Sequence, residues 1–255
     1  SSAAGIISYL NAALANLGVT IYKGATGSEL AEHIFARLGS RPALLTFPGN
    51  SIPASGAVNV TSSNMPALAK MLPFVGVVGG VQGTLSCPNN NTITFTRTAS
   101  GGDVPVAPDA TFVPVIGPQY RGDMAFLWAG KNNFSPTQSG REILVIQATD
   151  QAFDWFSYQM KRILVLGHFA DTGTPAVSME RDQILATHAA HAARYGDLFV
   201  DVYGYLTGAQ VWIDTGITPT SGDLAEQALG NKPPSLSAGT QHLNPAGYTA
   251  VAALL

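Results

Sequence analysis

Gln241-His242-Leu243-Asn244-Pro245-Ala246-Gly247-Tyr248 is the stretch on which the reading of the fold turns. Its histidine stands at the end of a loop. Pro245 suits a first helical position, where its missing N–H costs nothing and its φ is preset. The apolar residues through Leu255 then read as a closing helix. A histidine at a loop end, directly before a helix, is well placed as general base for a serine hydroxyl. The other histidines, His33, His168, His188 and His191, read as structural. His188 and His191 share one helix face, but no third His or acidic ligand stands nearby, so neither a metal nor a cofactor is expected.

Working upstream, short apolar runs alternate with helical spacing. Met124–Ala129 is a continuous apolar run ending in Gly130, as a buried parallel strand requires. Helical patterns follow at about 140–161, 178–195 and 223–229, with strands at Ile163–Leu166 and Leu198–Val202. At the start of the chain, Ile6, Ile7, Leu10, Leu14 and Leu17 have helical spacing, and Gly18 ends that helix. Val19–Tyr22 reads as a strand, Gly24–Gly27 as a tight turn, and Glu29–Leu38 as a helix. Strand–helix alternation predicts an α/β fold, a three-layer α/β/α sandwich with a mostly parallel sheet. Residues 42–119 differ. They are rich in Pro, Gly, Thr and Val, and alternate as in Thr92-Ile93-Thr94-Phe95-Thr96. They predict a β-rich insertion whose one helical candidate is Met65–Leu72. The domain reading is therefore 1–41 with 120–255, interrupted by the module 42–119.

Composition narrows the function classes. Of 255 residues 46% are hydrophobic, enough for one sizeable core. Only 11% are charged, against roughly 25% in ordinary soluble domains. Net charge is −3 and basic residues are scattered, which excludes a nucleic-acid surface. Apolar windows such as Met71–Val81 are broken by Pro and Gly and are too short to span a membrane. Residues 1–30 show no signal-peptide pattern. The lone Cys87 forms no internal disulfide. Low charge with abundant Ser, Thr and Asn suits an extracellular or virion-associated protein.

Two loops can stabilise an anion. Gly130-Lys131-Asn132-Asn133 follows a predicted strand, and ligands of open α/β sheets bind beyond the strands' carboxyl ends. The Asn132 amide there can donate to a developing oxyanion, though Gly and Asn are equally the residues of a plain turn. Gly24-Ala25-Thr26-Gly27-Ser28-Glu29 lies between strand and helix, where free N–H groups attract anions. Its spacing is neither that of a dinucleotide fingerprint nor of a phosphate loop.

The order of these features resembles the SGNH (GDSL-like) hydrolases. The resemblance covers Leu17–Arg37, Met124–Asn133 and Ile163–Leu255. It implies a flavodoxin-like sheet and a serine esterase with His242 as base. Asn132 is then a side-chain oxyanion donor, with a backbone N–H from Gly27 or Ser28. Two positions depart from the family. Its opening Gly-Asp-Ser strand is not seen; Ser1 or Ser2 is then a candidate nucleophile, and the expectation is that the chain is an N-terminally incomplete form or that a separate peptide supplies the strand. The Asp expected three residues before the histidine is Gly239, preceded by Ala238, with Asp214 and Asp223 as the nearest upstream substitutes. Members with β-rich insertions resemble carbohydrate esterases, so the implied substrate is an O-acetylated glycan of capsule or cell wall, as for a phage tail or secreted deacetylase. Phe47, Phe74, Phe95, Phe112 and Tyr120 either line a sugar face or pack the module's core, and core packing is expected for most. The competing readings are a non-catalytic carbohydrate-binding module and a lipase or thioesterase of the same fold.

Overall fold

The computed structural model describes residues 5–67, 71–87, 92–156 and 162–255. In chain order the elements begin with helices α1 (Ile6–Leu14) and α2 (Ala31–Leu38). Eight strands follow: β1 (Ala43–Thr46), β2 (Ser51–Ile52), β3 (Ala57–Ser62), β4 (Met71–Val78), β5 (Val81–Cys87), β6 (Ile93–Arg97), β7 (Val104–Pro105) and β8 (Ala110–Pro114). Then come β9 (Ala125–Leu127), α3 (Arg141–Trp155), β10 (Ile163–Leu166), α4 (Met179–Tyr195), β11 (Phe199–Val200), α5 (Val202–Thr207), α6 (Gln210–Thr215) and α7 (Ser221–Ala228). The hairpin β12 (Ser237–Ala238) and β13 (His242–Leu243) leads into α8 (Pro245–Leu254).

These elements form two compact units. The first holds the chain up to Lys23, Ala125–Ile146 and Ile163–Leu255. The second holds Gly24–Met124 and residues from Gln147 to Arg162, so α3 contributes to both. Residues 24–41, expected with the α/β part, are thus grouped with the β-rich part.

The expected three-layer α/β/α sandwich with a mostly parallel sheet is not the architecture. Most strand pairs are antiparallel, and six strands close a barrel in the order β1-β3-β6-β5-β4-β8. Among the described residues, parallel strand pairing joins β11-β10-β9, and one isolated parallel bridge links Ala170 to Asn231. The barrel is a core in its own right. Along β5 the burial alternates, as period-2 side chains demand. Phe47, Phe95 and Phe112 are fully buried, with Phe74 nearly so, and their rings meet edge to face at centroid distances of 5.3, 5.5 and 6.1 Å. Gly83 makes room for this packing: a Cβ there would stand 2.3 Å from the Phe95 ring.

A buried ion pair ties α2 to the barrel. Arg37 is 2% exposed and clamps both carboxylate oxygens of Glu29, at 2.8 and 2.6 Å. It also donates to the carbonyls of Gly24 and Leu72, while Glu29 accepts from the N–H groups of Thr26 and Leu72. This network connects 24–41 to β4 and explains their grouping with the barrel.

In the other unit, β9, β10 and β11 pair in register, with Val165 opposite Leu127 on one side and Phe199 on the other. One apolar cluster gathers Leu166, Phe169, Val202, Leu206, Val211, Leu236, Leu243 and Val251. A second gathers Phe134, Val145, Ala170 and Ile184. Tyr9 of α1 stacks on Tyr248 of α8.

Further local expectations change. Val19–Tyr22 is not a strand; Val19 and Tyr22 are 48% and 41% exposed, and no strand pairs with them among the described residues. Of Met65–Leu72, Met65–Ala67 are not helical, Met71 and Leu72 open β4, and 68–70 lie outside the described residues. The helix expected to reach Lys161 runs to Trp155, and 157–161 lie outside the described residues.

Candidate functional site

A polar assembly lies beyond the carboxyl ends of β9 and β10 in the first unit. Gly130 turns the chain directly beyond β9 with φ +112°, and a Cβ there would stand 2.6 Å from Val145. This turn delivers Lys131, Asn132 and Asn133 on one 3-10 turn. Asn133 is buried and Asn132 is exposed. Lys131 reaches the loop after β10: its Nζ donates to the Phe169 carbonyl at 3.0 Å and pairs with Asp171 at 3.0 Å and Glu180 at 3.7 Å. The same loop meets the β12–β13 hairpin, where the Thr172 N–H donates to the Thr240 carbonyl.

His242 lies on that hairpin. It stands opposite Ala238, and Ser237 stands opposite Leu243. Alternation along a strand therefore puts His242 and Ala238 on one face, exposed, and Ser237 and Leu243 on the other. The rest of the histidine block is accounted for by the helix that follows. Leu243 enters the core, the Asn244 side chain caps α8 through the Gly247 N–H, and Pro245 opens its first turn.

No carboxylate orients the His242 ring among the described residues. Gly239, at the position expected to hold Asp, is in the left-handed region at φ +68°. Asp214 accepts from the Tyr205 hydroxyl and Gln210, and burial with that hydrogen bond pushes the Tyr205 hydroxyl up to about 12. Asp223 is fully buried and accepts from Thr220 and from the N–H and hydroxyl of Ser235. Burial pushes its carboxyl up, but these hydrogen bonds outweigh burial and hold it below the usual carboxylate range. Both acids expected as substitutes are thus engaged elsewhere.

Gly27 and Ser28 belong to the second unit. They form a turn in which Ser28 has φ +72°. The Glu29 carboxylate already accepts from the Thr26 N–H at 2.8 Å, so an internal anion sits at this turn. Ser1 and Ser2 lie outside the described residues. In the barrel, an open and mostly apolar cleft of about 530 Å³ is lined by Phe47, Pro48, Met65 and Ile93, with Thr46 and Asn59 among its polar residues. Phe74, Phe95 and Phe112 are consumed by the core, and Phe47, itself 1% exposed, packs in that core while lining the cleft; Tyr120 is half-buried on a 3-10 turn.

Two of the buried histidines, His168 and His33, answer to pH. His168, 3% exposed and edge-on to Phe134, has its imidazole pushed down to about 3. Burial is the main cause, helped by nearby His191 and Lys131 and opposed by a hydrogen bond to the Ala129 backbone. His33, whose Nε2 lies 2.6 Å from the Pro66 carbonyl oxygen, is lowered too, again mainly by burial. Both hold a proton less readily in the fold than in the unfolded chain, where histidine takes one up near pH 6.5, so acid favours the unfolded chain. His168 is therefore expected to cost about 1.4 kcal/mol per pH unit as pH falls from about 6.5 towards 3. Denaturant titrations from pH 7 to pH 4.5 should show the His168→Gln variant with a shallower loss than the parent. An identical slope would remove His168 from the account.

The sequence did not single out Lys232 and Ser237. Lys232 is fully buried, and its Nζ lies 2.7 Å from Ser237 Oγ, 2.9 Å from the Thr240 carbonyl oxygen and 3.3 Å from Thr172 Oγ1. The available signal was a lone lysine between Asn231 and Pro233-Pro234 in a chain with 13 basic residues. Comparison with protein-family models, with curated proteins and with solved structures finds no match.

Proposed function

We propose that this chain carries the working end of a serine-type esterase that removes O-acetyl groups from a polysaccharide, with His242 as general base and Asn132 as oxyanion donor. The observation that carries this reading is the joint attachment of the Asn132 turn and the His242 hairpin to one loop. Lys131 bonds the Phe169 carbonyl and Asp171, and Thr172 bonds Thr240, all beyond the carboxyl end of β10. Ligands of parallel sheets bind at that end. The resemblance of the histidine block to SGNH hydrolases supports the same assignment. With no carboxylate behind it among the described residues, His242 works as one half of a serine–histidine dyad.

An exposed amide near the reacting carbonyl stabilises charge that develops only in the transition state. The Asn132→Ala variant is therefore expected to lower turnover of p-nitrophenyl acetate about 100- to 1000-fold with an unchanged melting temperature. Turnover within threefold of the parent would refute the role of Asn132. Acetate release from an O-acetylated glycan, compared with cleavage of long-chain esters, tests the substrate class. Glycan binding with no acetate released would replace the esterase by a non-catalytic binding module.

A further inference from the structure

We propose that Ser237 is an acyl-accepting nucleophile whose proton is taken by Lys232, forming a serine–lysine pair separate from His242. The pair has the geometry such chemistry needs: hydroxyl and amine are 2.7 Å apart, the amine is fully buried, and the serine keeps partial exposure. The hydroxyl is held from two further sides, by Thr172 Oγ1 at 2.9 Å and by the Pro233 carbonyl oxygen at 2.6 Å. Thr172 also sits within reach of Lys232, so the three groups form a closed polar triangle. The Lys232 main chain is fixed as well, its N–H donating to the Ala170 carbonyl just beyond β10. His242 is on the other face of the hairpin and does not face Ser237.

A lysine accepts a proton only when neutral, and burial favours that form. Burial lowers the Lys232 ammonium to about 8, reinforced by Lys131 and opposed by Asp171 and Glu226. The remaining neighbours of the amine are hydroxyls, a carbonyl and the Phe169 ring, 5.9 Å away. In the reaction, neutral Lys232 Nζ takes the Ser237 proton as Oγ bonds the carbonyl carbon of a small carboxylic ester. The ester C–O bond breaks, the leaving alkoxide takes the proton back from Lys232, and Ser237 carries the acyl group. Water reverses these steps: Lys232 takes its proton, its oxygen bonds the acyl carbon, and Ser237 Oγ leaves and is reprotonated, releasing the acid.

The test is acylation of the whole chain by p-nitrophenyl acetate, or phosphonylation by a fluorophosphonate probe, from pH 6.5 to 8.5, read by peptide mass spectrometry. The adduct is expected on the peptide containing Ser237 and absent in Ser237→Ala. Its rate should rise more than about tenfold over that range as Lys232 loses its proton. Lys232→Met, if its melting profile shows it folded, should lose labelling at least about 100-fold; if it does not fold, the parent's pH profile decides. No adduct on Ser237, or a rate flat with pH, overturns the inference. This failure is distinct from failure of the esterase reading. Ester turnover unchanged in Ser237→Ala, without an adduct, sinks only the serine–lysine pair, whereas a Ser237 adduct without glycan deacetylation sinks only the esterase.

Discussion

Replacing Arg37 by alanine is expected to lower the stability of the barrel unit by about 3–5 kcal/mol. Arg37 is 2% exposed and Glu29 is 2% exposed, so the variant leaves a carboxylate buried without its countercharge. Glu29 would keep the N–H groups of Thr26 and Leu72, but the bidentate guanidinium would be gone. The carbonyls of Gly24 and Leu72 lose a donor as well. The loss is large against the roughly 5–15 kcal/mol that holds an ordinary domain together. The double variant Glu29→Leu with Arg37→Met should recover much of it, because removing both charges abolishes the desolvation cost that the single change exposes. Chemical denaturation followed through the barrel unit gives the comparison. A single variant within 1 kcal/mol of the parent, or a double variant worse than the single one, would show that the pair does not tie α2 to the barrel.

Replacing His242 by alanine is expected to lower ester turnover by about 100- to 10,000-fold, the range over which a positioned general base acts. Stability should change by less than about 0.5 kcal/mol, as for a surface site. His242 is exposed, its ring touches no carboxylate among the described residues, and the neighbouring Leu243, Asn244 and Pro245 carry the packing and capping. Activity and stability are thus expected to separate at this residue. Initial rates on p-nitrophenyl acetate, beside thermal melts of the same preparations, make the comparison. Turnover within threefold of the parent would remove His242 from the chemistry. A fall in melting temperature that matched the loss of activity would make its role structural.

Local elements were legible where a short-range pattern and a cap agree. Pro245 after Asn244 marks the start of α8, and Ser178 starts α4 by accepting from the Arg181 N–H. Gly18 ends the first helical segment in a left-handed cap. The runs Met124–Ala129 and Ile163–Leu166 each contain a parallel strand, β9 and β10. The architecture is not legible in the sequence because strand–helix alternation says nothing about how many strands share a sheet. The β-rich stretch closes on itself through β1 pairing with both β3 and β8, and β4 with both β5 and β8. These pairings join residues up to about seventy positions apart, a separation that no local period encodes.

The amino-acid order alone determined that residue 242 is a histidine before a capped helix, that Asn132 follows a strand, and that 42–119 is β-rich. Hydrogen bonds and burial within a few residues suffice for such features. Tertiary structure decided the closed barrel, the engagement of Asp214 and Asp223 away from His242, and the meeting of Lys232 with Thr172 across sixty residues. It also turned Ser237 and His242 to opposite faces of one hairpin. The physical reason is that a buried charge takes whichever partners the packed core brings to it, and strand pairing brings together residues that the sequence keeps far apart.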